Sequence, residues 1–113
     1  MTNNWIFLDH EKLAIVARLR REEKFDEAER ILLRAEPTPA VLDELRKIAS
    51  KRAQSSKKKG NWLEVVRYLE GYNELANKWR KHCIKVVNQE PPPHTEKDQK
   101  LLMEAKGKLM ERQ

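Results

Sequence analysis

The chain has 113 residues, which is enough for one small domain with or without a short appendage. Lysine and arginine total 24 against 18 acidic residues, and this moderate excess of +6 permits nucleic acid or an acidic peptide as a partner without requiring either. The single cysteine excludes an internal disulfide, and no apolar run approaches the ~20 residues of a membrane-spanning helix, so we expect a soluble, intracellular, cytoplasmic protein with no membrane partner.

The N-terminal segment predicts a short arm followed by a helix. Residues 1–8 show no hydrophobic period, and we expect Trp5 and Phe7 to tuck against the rest of the domain. Asp9 suits an N-cap because its side chain can accept hydrogen bonds from the free N–H groups of a first helical turn. The apolar spacing that follows predicts a helix that ends near residue 24.

Two further helix starts come next. Asp26 and Glu29 have the spacing of a capping box, and an amphipathic stripe runs behind them until a proline interrupts it. Thr38 before Pro39 marks another start, since a hydroxyl is a good cap and proline is favoured at the first helical position. This third helix is expected to stop at Gly60.

A long central helix over residues 61–89 organises the chain. One unbroken series of apolar residues recurs in it at alternating steps of three and four, which forms a single stripe on one helix. The stripe consists of Trp62, Val65, Leu69, Tyr72, Ala76, Trp79, Cys83 and Val86. At 1.5 Å per residue the helix is roughly 40 Å long, so it needs cover from several other segments. Gly71 lies inside it, and we expect a neighbouring helix to approach closely there.

The C-terminal part predicts a proline spacer and a last helix. Pro91-Pro92-Pro93 favours a stiff extended segment, and the residues after it have helical spacing. The expected organisation is a helical-hairpin domain over residues 1–90, a spacer over 91–94 and a last helix over 95–113. That helix is expected to cover the Trp79–Val87 part of the central helix, or to dock on another subunit or a target protein.

Together these elements predict an all-α fold of about five helices built from antiparallel hairpins. The turn at Lys59-Gly60-Asn61 is short enough to make the third and fourth helices antiparallel. A plain helical bundle and a stack of helical repeats both fit this pattern, and the residues leave that choice open.

Two of the predicted hairpins resemble the tetratricopeptide repeat family over residues 9–72. In that family small residues let paired helices approach while an aromatic side chain fills the gap at the turn. The matching positions are Ile15, Leu19, Phe25, Ala28, Leu32, Ala35 and Pro39 in a first copy, and Ala53, Trp62, Val65, Leu69 and Tyr72 in a second. The chain departs from the family because Ala28 and Val65 are 37 positions apart instead of the family's 34, and Val65 and Tyr72 replace small residues.

The resemblance implies that the first helix of each hairpin binds a protein or an acidic peptide. The partner-binding residues that the repeat register implies are Arg20, Arg21, Lys47, Gln54, Lys57 and Lys58. On this interpretation the protein is a non-enzymatic adaptor or regulatory binding module. The competing interpretation is that these cations form an ordinary solvated helix face.

A second hypothesis is nucleic-acid binding through two basic clusters. The candidate residues are Arg46, Lys51, Arg52, Lys59, Lys78, Arg80, Lys81 and Lys85. The clusters are expected to lie roughly 30 Å apart, and neither zinc-finger spacing nor an ordinary helix-turn-helix accompanies them, so protein binding is preferred. A third hypothesis is a structural homodimer formed through the long helix.

Catalytic residues are not apparent in the sequence. Asp9-His10-Glu11 and His82-Cys83 are the only local groups of reactive side chains, and neighbours on a helix point about 100° apart, so neither forms a metal site or a nucleophile–base pair. Cys83 is expected to be a small buried hydrophobe, and His94 a loop residue with no evident partner. We therefore predict no enzyme activity, no metal and no cofactor.

Overall fold

A computed structural model describes residues 4–111, and that part of the chain folds into five α-helices. They are α1 (His10–Arg21), α2 (Phe25–Leu33), α3 (Pro39–Lys58), α4 (Trp62–Val87) and α5 (Glu96–Glu111). The predicted all-α class is confirmed, because an isolated bridge between Ile6 and Ala35 is the one β feature within these residues. Over the same residues no helix combines the length and apolarity that crossing a bilayer requires.

The predicted caps of α1 and α3 are confirmed, and α4 also begins with a side-chain cap. The Asp9 carboxylate accepts a hydrogen bond from the backbone N–H of Lys12 at 2.9 Å. Thr38 caps α3 in the same way, with an oxygen-to-nitrogen distance of 3.3 Å, and Asn61 caps α4 at 3.2 Å. Gly60 has a φ of +72° just beyond α3, a conformation that glycine adopts without steric cost, which explains why the helix stops there.

The predicted capping box of α2 is wrong. Lys24 occupies the N-cap position, and no side chain bonds to the first turn. Asp26 and Glu29 instead bind Arg52 of α3, at 2.6 and 2.8 Å from its guanidinium nitrogens. The packing of α2 on α3 places one guanidinium within reach of both carboxylates, so the two acids join helices and do not start one.

α3 and α4 form the predicted antiparallel hairpin. At the turn, the backbone N–H of Asn61 donates to the carbonyl of Ser56 at 2.9 Å. At the other end, the thiol of Cys83 donates to the carbonyl of Pro37 at 3.2 Å. α4 ends at Val87, two residues before the predicted end.

The apolar stripe of α4 is covered by the same chain along most of its length. Of the stripe residues, Val65, Leu69, Tyr72 and Cys83 are buried, whereas Val86 is 48% exposed. Two clusters form the core. The larger joins α1, α2 and α3 to the second half of α4, and the smaller joins the ends of α3 and α4 at the turn to α5.

The expected position of the last helix is wrong. α5 covers the first half of α4, where Leu101 and Ala105 pack with Val65 and Leu69. The segment after α4 makes this placement possible because it returns along that helix. Its contacts with α4 are the ion pair of Glu90 with Arg80, the bond from the Tyr72 hydroxyl to the Pro92 carbonyl, and the bond between His94 and the Leu69 carbonyl.

As a consequence, the apolar end of α4 that α5 was expected to cover is open, with Ile84 40% exposed. Two further expectations fail in the structure. Trp5 does tuck in, with its ring 5.9 Å from that of Trp79, but Phe7 is 74% exposed. Outside the adjoining backbone of α4 itself, no atom lies within 4 Å of the position that a Cβ on Gly71 would occupy, so no neighbouring helix makes a close approach there.

Candidate functional site

An open cleft of about 420 Å³ lies between α2 and α4, with α3 as its floor. We call it the Gly71 cleft. Its lining residues are Glu29 and Leu33 from α2, Leu45, Ala49 and Arg52 from α3, and Arg67, Tyr68, Gly71, Tyr72 and Leu75 from α4. The cleft is therefore mostly apolar, with charges confined to three side chains.

Gly71 is the unusual residue of this cleft. A glycine in the interior of a helix costs about 1 kcal/mol relative to alanine. Space around the missing side chain is empty in the structure, so packing inside the protein gives no reason for this cost. The backbone of α4 is consequently bare in the middle of an apolar surface, between Tyr68 and Leu75.

Leu33 adds exposed apolar area to the α2 wall. Its side chain is 56% exposed although it lines both the Gly71 cleft and a smaller depression beside Trp5 and Trp79. α2 is amphipathic and buries Ala28 and Leu32, and Leu33 follows them on the side that faces α4. An exposed leucine on a concave apolar wall is a typical contact for a bound partner.

Arg52 fixes the α2 wall in place. Its guanidinium binds Asp26 and Glu29 and lies between two aromatic rings, 5.8 Å from the centre of Phe25 and 5.6 Å from that of Tyr68. Its side chain is only 15% exposed, which reduces screening by water of its contacts with Glu29 and the two rings, whereas Asp26 is 91% exposed. Arg52 thus connects α2, α3 and α4, and its charge is balanced within the protein.

Arg67 differs from Arg52 because its charge is not balanced. It is exposed at the cleft and has no ion-pair partner between residues 4 and 111. Glu29, the acidic residue of the lining, is already bound to Arg52. The cleft therefore combines an apolar surface with one positive charge that is available to a ligand.

Tyr72 closes the cleft toward the proline segment. Burial raises the pKa of its phenol well above the ordinary value of 10.0, while the positive charge of Arg46 acts in the opposite direction. The hydroxyl donates to the Pro92 carbonyl at 2.5 Å, so its bonding is directed away from a ligand. Tyr72 is a packed wall residue and stays protonated at neutral pH.

Half of the six predicted partner-binding residues form ion pairs within the protein. Arg20 binds Glu44 at 3.0 Å, and Lys47 shares that carboxylate at 3.5 Å. Lys57 binds Glu104 of α5 at 3.2 Å.

The other three residues of that predicted set are not held in ion pairs with the described part of the chain. The side chain of Gln54 donates to the Ser50 hydroxyl at 3.1 Å. Arg21 and Lys58 are exposed and make no ion pair with any residue that the structure describes. None of the six predicted residues lines the Gly71 cleft, so the partner-binding face of α1 and α3 stays a separate prediction.

The predicted nucleic-acid residues also divide into engaged and free groups. Arg46 binds Asp43, Arg52 binds two acids, Arg80 binds Glu90, and Lys78 lies 5.2 Å from the ring centre of Trp79. The cations of this set that are exposed without an ion pair, within residues 4–111, are Lys51, Lys59, Lys78, Lys81 and Lys85. They do not converge on one surface, because Lys59 adjoins the α3–α4 turn and Lys85 lies near the opposite end of α4.

The reactive side chains are placed for packing. Cys83 is fully buried, as predicted, and burial raises the pKa of its thiol, which lowers the thiolate fraction. The neighbouring His82 faces Glu36 at 3.2 Å and packs against Trp5. In the described part of the chain no three His, Cys, Asp or Glu residues are grouped to hold a metal ion.

His94 corrects the expectation of a residue without a partner. It is buried and its Nε2 lies 2.6 Å from the carbonyl oxygen of Leu69. Its ring packs against Tyr72 with the centroids 5.0 Å apart. His94 therefore helps to fix the proline segment on α4 and does not face a ligand.

Comparison of the chain with protein-family models, with curated proteins and with solved structures finds no match.

The sequence predictions missed Arg67, Tyr68 and Leu75 as site residues. Their signal was a second set of positions on α4, next to the main stripe and centred on Gly71 at spacings of three and four. The sequence does draw attention to Gly71, but we expected close packing of a neighbouring helix to compensate for its destabilising effect, and the structure places no helix there.

Proposed function

We propose that this protein is a non-enzymatic protein-binding module that holds its partner in the Gly71 cleft. The observation that carries the proposal is the bare backbone of α4 at Gly71, in the middle of an open apolar cleft. A helix-weakening glycine is accounted for if a partner needs to approach the backbone at that point. Apolar concave surfaces with few charges are the usual docking sites of helical modules.

The packing order of the helices supports the proposal of an adaptor built from helical hairpins. α1 packs against α2 and also reaches α3, α3 lies between α2 and α4, and α5 covers α4. Each hairpin therefore stacks on the next, which is how repeat proteins such as the tetratricopeptide family form extended binding surfaces. In this interpretation α5 covers the end of the stack.

The reactive residues support a binding role over catalysis. Cys83 is buried, and His94 is bonded to backbone, so neither faces the cleft. The charged residues that do face it are Glu29, Arg52 and Arg67, and the first two neutralise each other. The cleft thus offers contacts for recognition but no nucleophile and base in reach of each other.

The proposal can be tested by filling the cleft without disturbing the fold. Gly71→Leu places a helix-favouring side chain where the structure has space, so the protein should stay folded and lose its partner. Gly107→Leu is the matched control, because Gly107 is also inside a helix with no atom within 4 Å of an added Cβ, but it lies on α5. Affinity capture from native cell extract with wild type and both variants provides the measurement.

The expected result is a protein captured by wild type and Gly107→Leu but not by Gly71→Leu. Equal capture by all three chains would refute the Gly71 cleft as the docking surface. A nuclease-treated arm separates protein partners from nucleic acid, and a salt-sensitive gel shift tests the second hypothesis directly, because phosphate binding weakens steeply with salt.

A further inference from the structure

We propose that the occupant of the Gly71 cleft is an amphipathic α-helix of a partner protein that presents a carboxylate to Arg67. This inference rests on the proposed function and specifies the chemistry of the partner. It depends on the shape of the cleft, on the exposed backbone at Gly71 and on the charge of the lining.

The shape of the cleft suits a helix. It is a trench between two helices, and it is open along its top, so a small molecule would leave much of its own surface in water. A helix laid into such a groove inserts apolar side chains at spacings of i, i+3, i+4 and i+7 while its other face stays solvated. Leu33 on one wall and Leu75 on the other are placed to contact those side chains.

Gly71 permits the close approach that helix packing needs. Helix axes pack roughly 8–10 Å apart, and the distance is shortest where small residues meet. The floor of the cleft has a second small residue, Ala49 on α3. Gly71 and Ala49 together leave room for the backbone or a bulky side chain of an incoming helix, with Tyr68 beside it.

The charge of the lining selects an acidic helix. Glu29 is satisfied by Arg52, so the lining charge that remains is the guanidinium of Arg67. Arg30 and Asp26 lie just outside, in a depression that shares Glu29 and Leu33 with the cleft, so the charge beside the lining is mixed and the selection depends on Arg67. A carboxylate on the partner can form a two-pronged bond with Arg67, whereas a lysine at that position would meet a like charge.

The test uses two designed peptides and the full chain labelled with ¹⁵N. Each peptide has about 18 residues, long enough to form a helix on binding, and carries the same leucine and alanine stripe. The flanking positions are glutamate in one peptide and lysine in the other. Amide chemical shifts are followed during titration for wild type, for Arg67→Glu and for Lys81→Glu, an exposed control cation near the far end of α4.

The glutamate peptide should shift the amide resonances of Gly71, Ala49 and Leu75 and bind wild type about tenfold more tightly than the lysine peptide at low salt. Arg67→Glu should reverse that preference, and Lys81→Glu should preserve it. Both substitutions lower the net charge by the same amount, so a difference between them reports the local contact and not overall attraction.

Equal binding of the two peptides, shifts that map outside the cleft, or no binding at roughly millimolar peptide would overturn this inference. The proposed function fails on a different result, which is equal capture of the partner by wild type and Gly71→Leu. If Gly71→Leu loses the captured protein while Arg67→Glu keeps it, the cleft binds a partner of other chemistry, and only the acidic helix is refuted.

Discussion

The two sides of α4 show how one helix can stabilise a fold and also present a surface. On one side Val65, Leu69 and Cys83 are buried under α3, α5 and the N-terminal helices. On the other side Gly71 is bare and Arg67 has no partner among the described residues. Substitutions on the buried side should therefore change the free energy of unfolding, and substitutions on the cleft side should change binding.

The largest expected effect is on the buried side, in Leu69→Ala. Leu69 is fully buried at the junction of α3, α4 and α5, so its truncation removes apolar contacts and leaves a cavity. The free energy of unfolding should fall by roughly 2–5 kcal/mol, measured by urea denaturation. A loss under about 1 kcal/mol would show that α5 is not held on α4 as the structure has it.

Arg52→Met tests the residue that joins the buried side to the cleft. Methionine keeps the length of the side chain but removes the bonds to Asp26 and Glu29. Hydrogen bonds to charged groups contribute about 1.5–3 kcal/mol when they are shielded, but Asp26 is 91% exposed, so we expect a loss of roughly 1–2 kcal/mol by urea denaturation. Lys51→Met is the control, since Lys51 is exposed without an ion pair in residues 4–111, and it should have little effect.

Tyr72→Phe should have a smaller effect whose sign depends on pH. At pH 7 the variant loses the bond to the Pro92 carbonyl, worth about 1 kcal/mol. Burial raises the pKa of the folded phenol above its ordinary value of 10.0, so the unfolded chain releases the proton first. The stability contributed by the tyrosine is complete below pH 10 and declines above it by about 1.4 kcal/mol per pH unit.

Urea denaturation of both proteins at pH 7 and pH 11 measures this difference. Wild type should be the more stable at pH 7, and the two should be close or reversed in order at pH 11. A constant difference at both pH values would contradict a phenol that stays protonated in the folded state.

The smallest expected effect is an increase in stability, caused by the substitution Gly71→Ala. Alanine favours the helix, and the structure leaves space for its methyl group, so the free energy of unfolding should rise by about 0.5–1 kcal/mol. Gly107→Ala should give a similar gain by thermal denaturation, since Gly107 is also inside a helix with open space at its Cβ position. If Gly71→Ala destabilises the protein while Gly107→Ala does not, the cleft is not open at Gly71.

The features that could be predicted from the sequence depend on residues close together in the chain. The caps at Asp9, Thr38 and Asn61 bond to N–H groups three residues away, and the turn at Gly60 needs one backbone conformation. Burial of Cys83 followed from the stripe of α4. Such features require only local geometry, which the residue types encode directly.

The prediction for Asp26 failed because its partner is distant in the chain. Arg52 lies 26 residues away, and only the packing of α2 on α3 brings the two side chains together. Lys57 also has a partner that is distant in the chain. It was predicted to bind a partner protein, but in the structure it binds Glu104 of α5. Charged residues on a helix face look alike in a sequence whether they are free or paired.

The sequence by itself determined the all-α class, the long helix, its apolar stripe and most helix ends. The tertiary structure alone decided which half of α4 is covered by α5, which cations are neutralised, and that the space beside Gly71 is empty. The physical reason is that helix formation depends on contacts within a few residues, whereas cover and charge pairing depend on how separate helices dock. A cleft is the space that such docking leaves unfilled. Its one local signature in the sequence is a glycine that destabilises its helix and whose presence is not explained by packing within the fold.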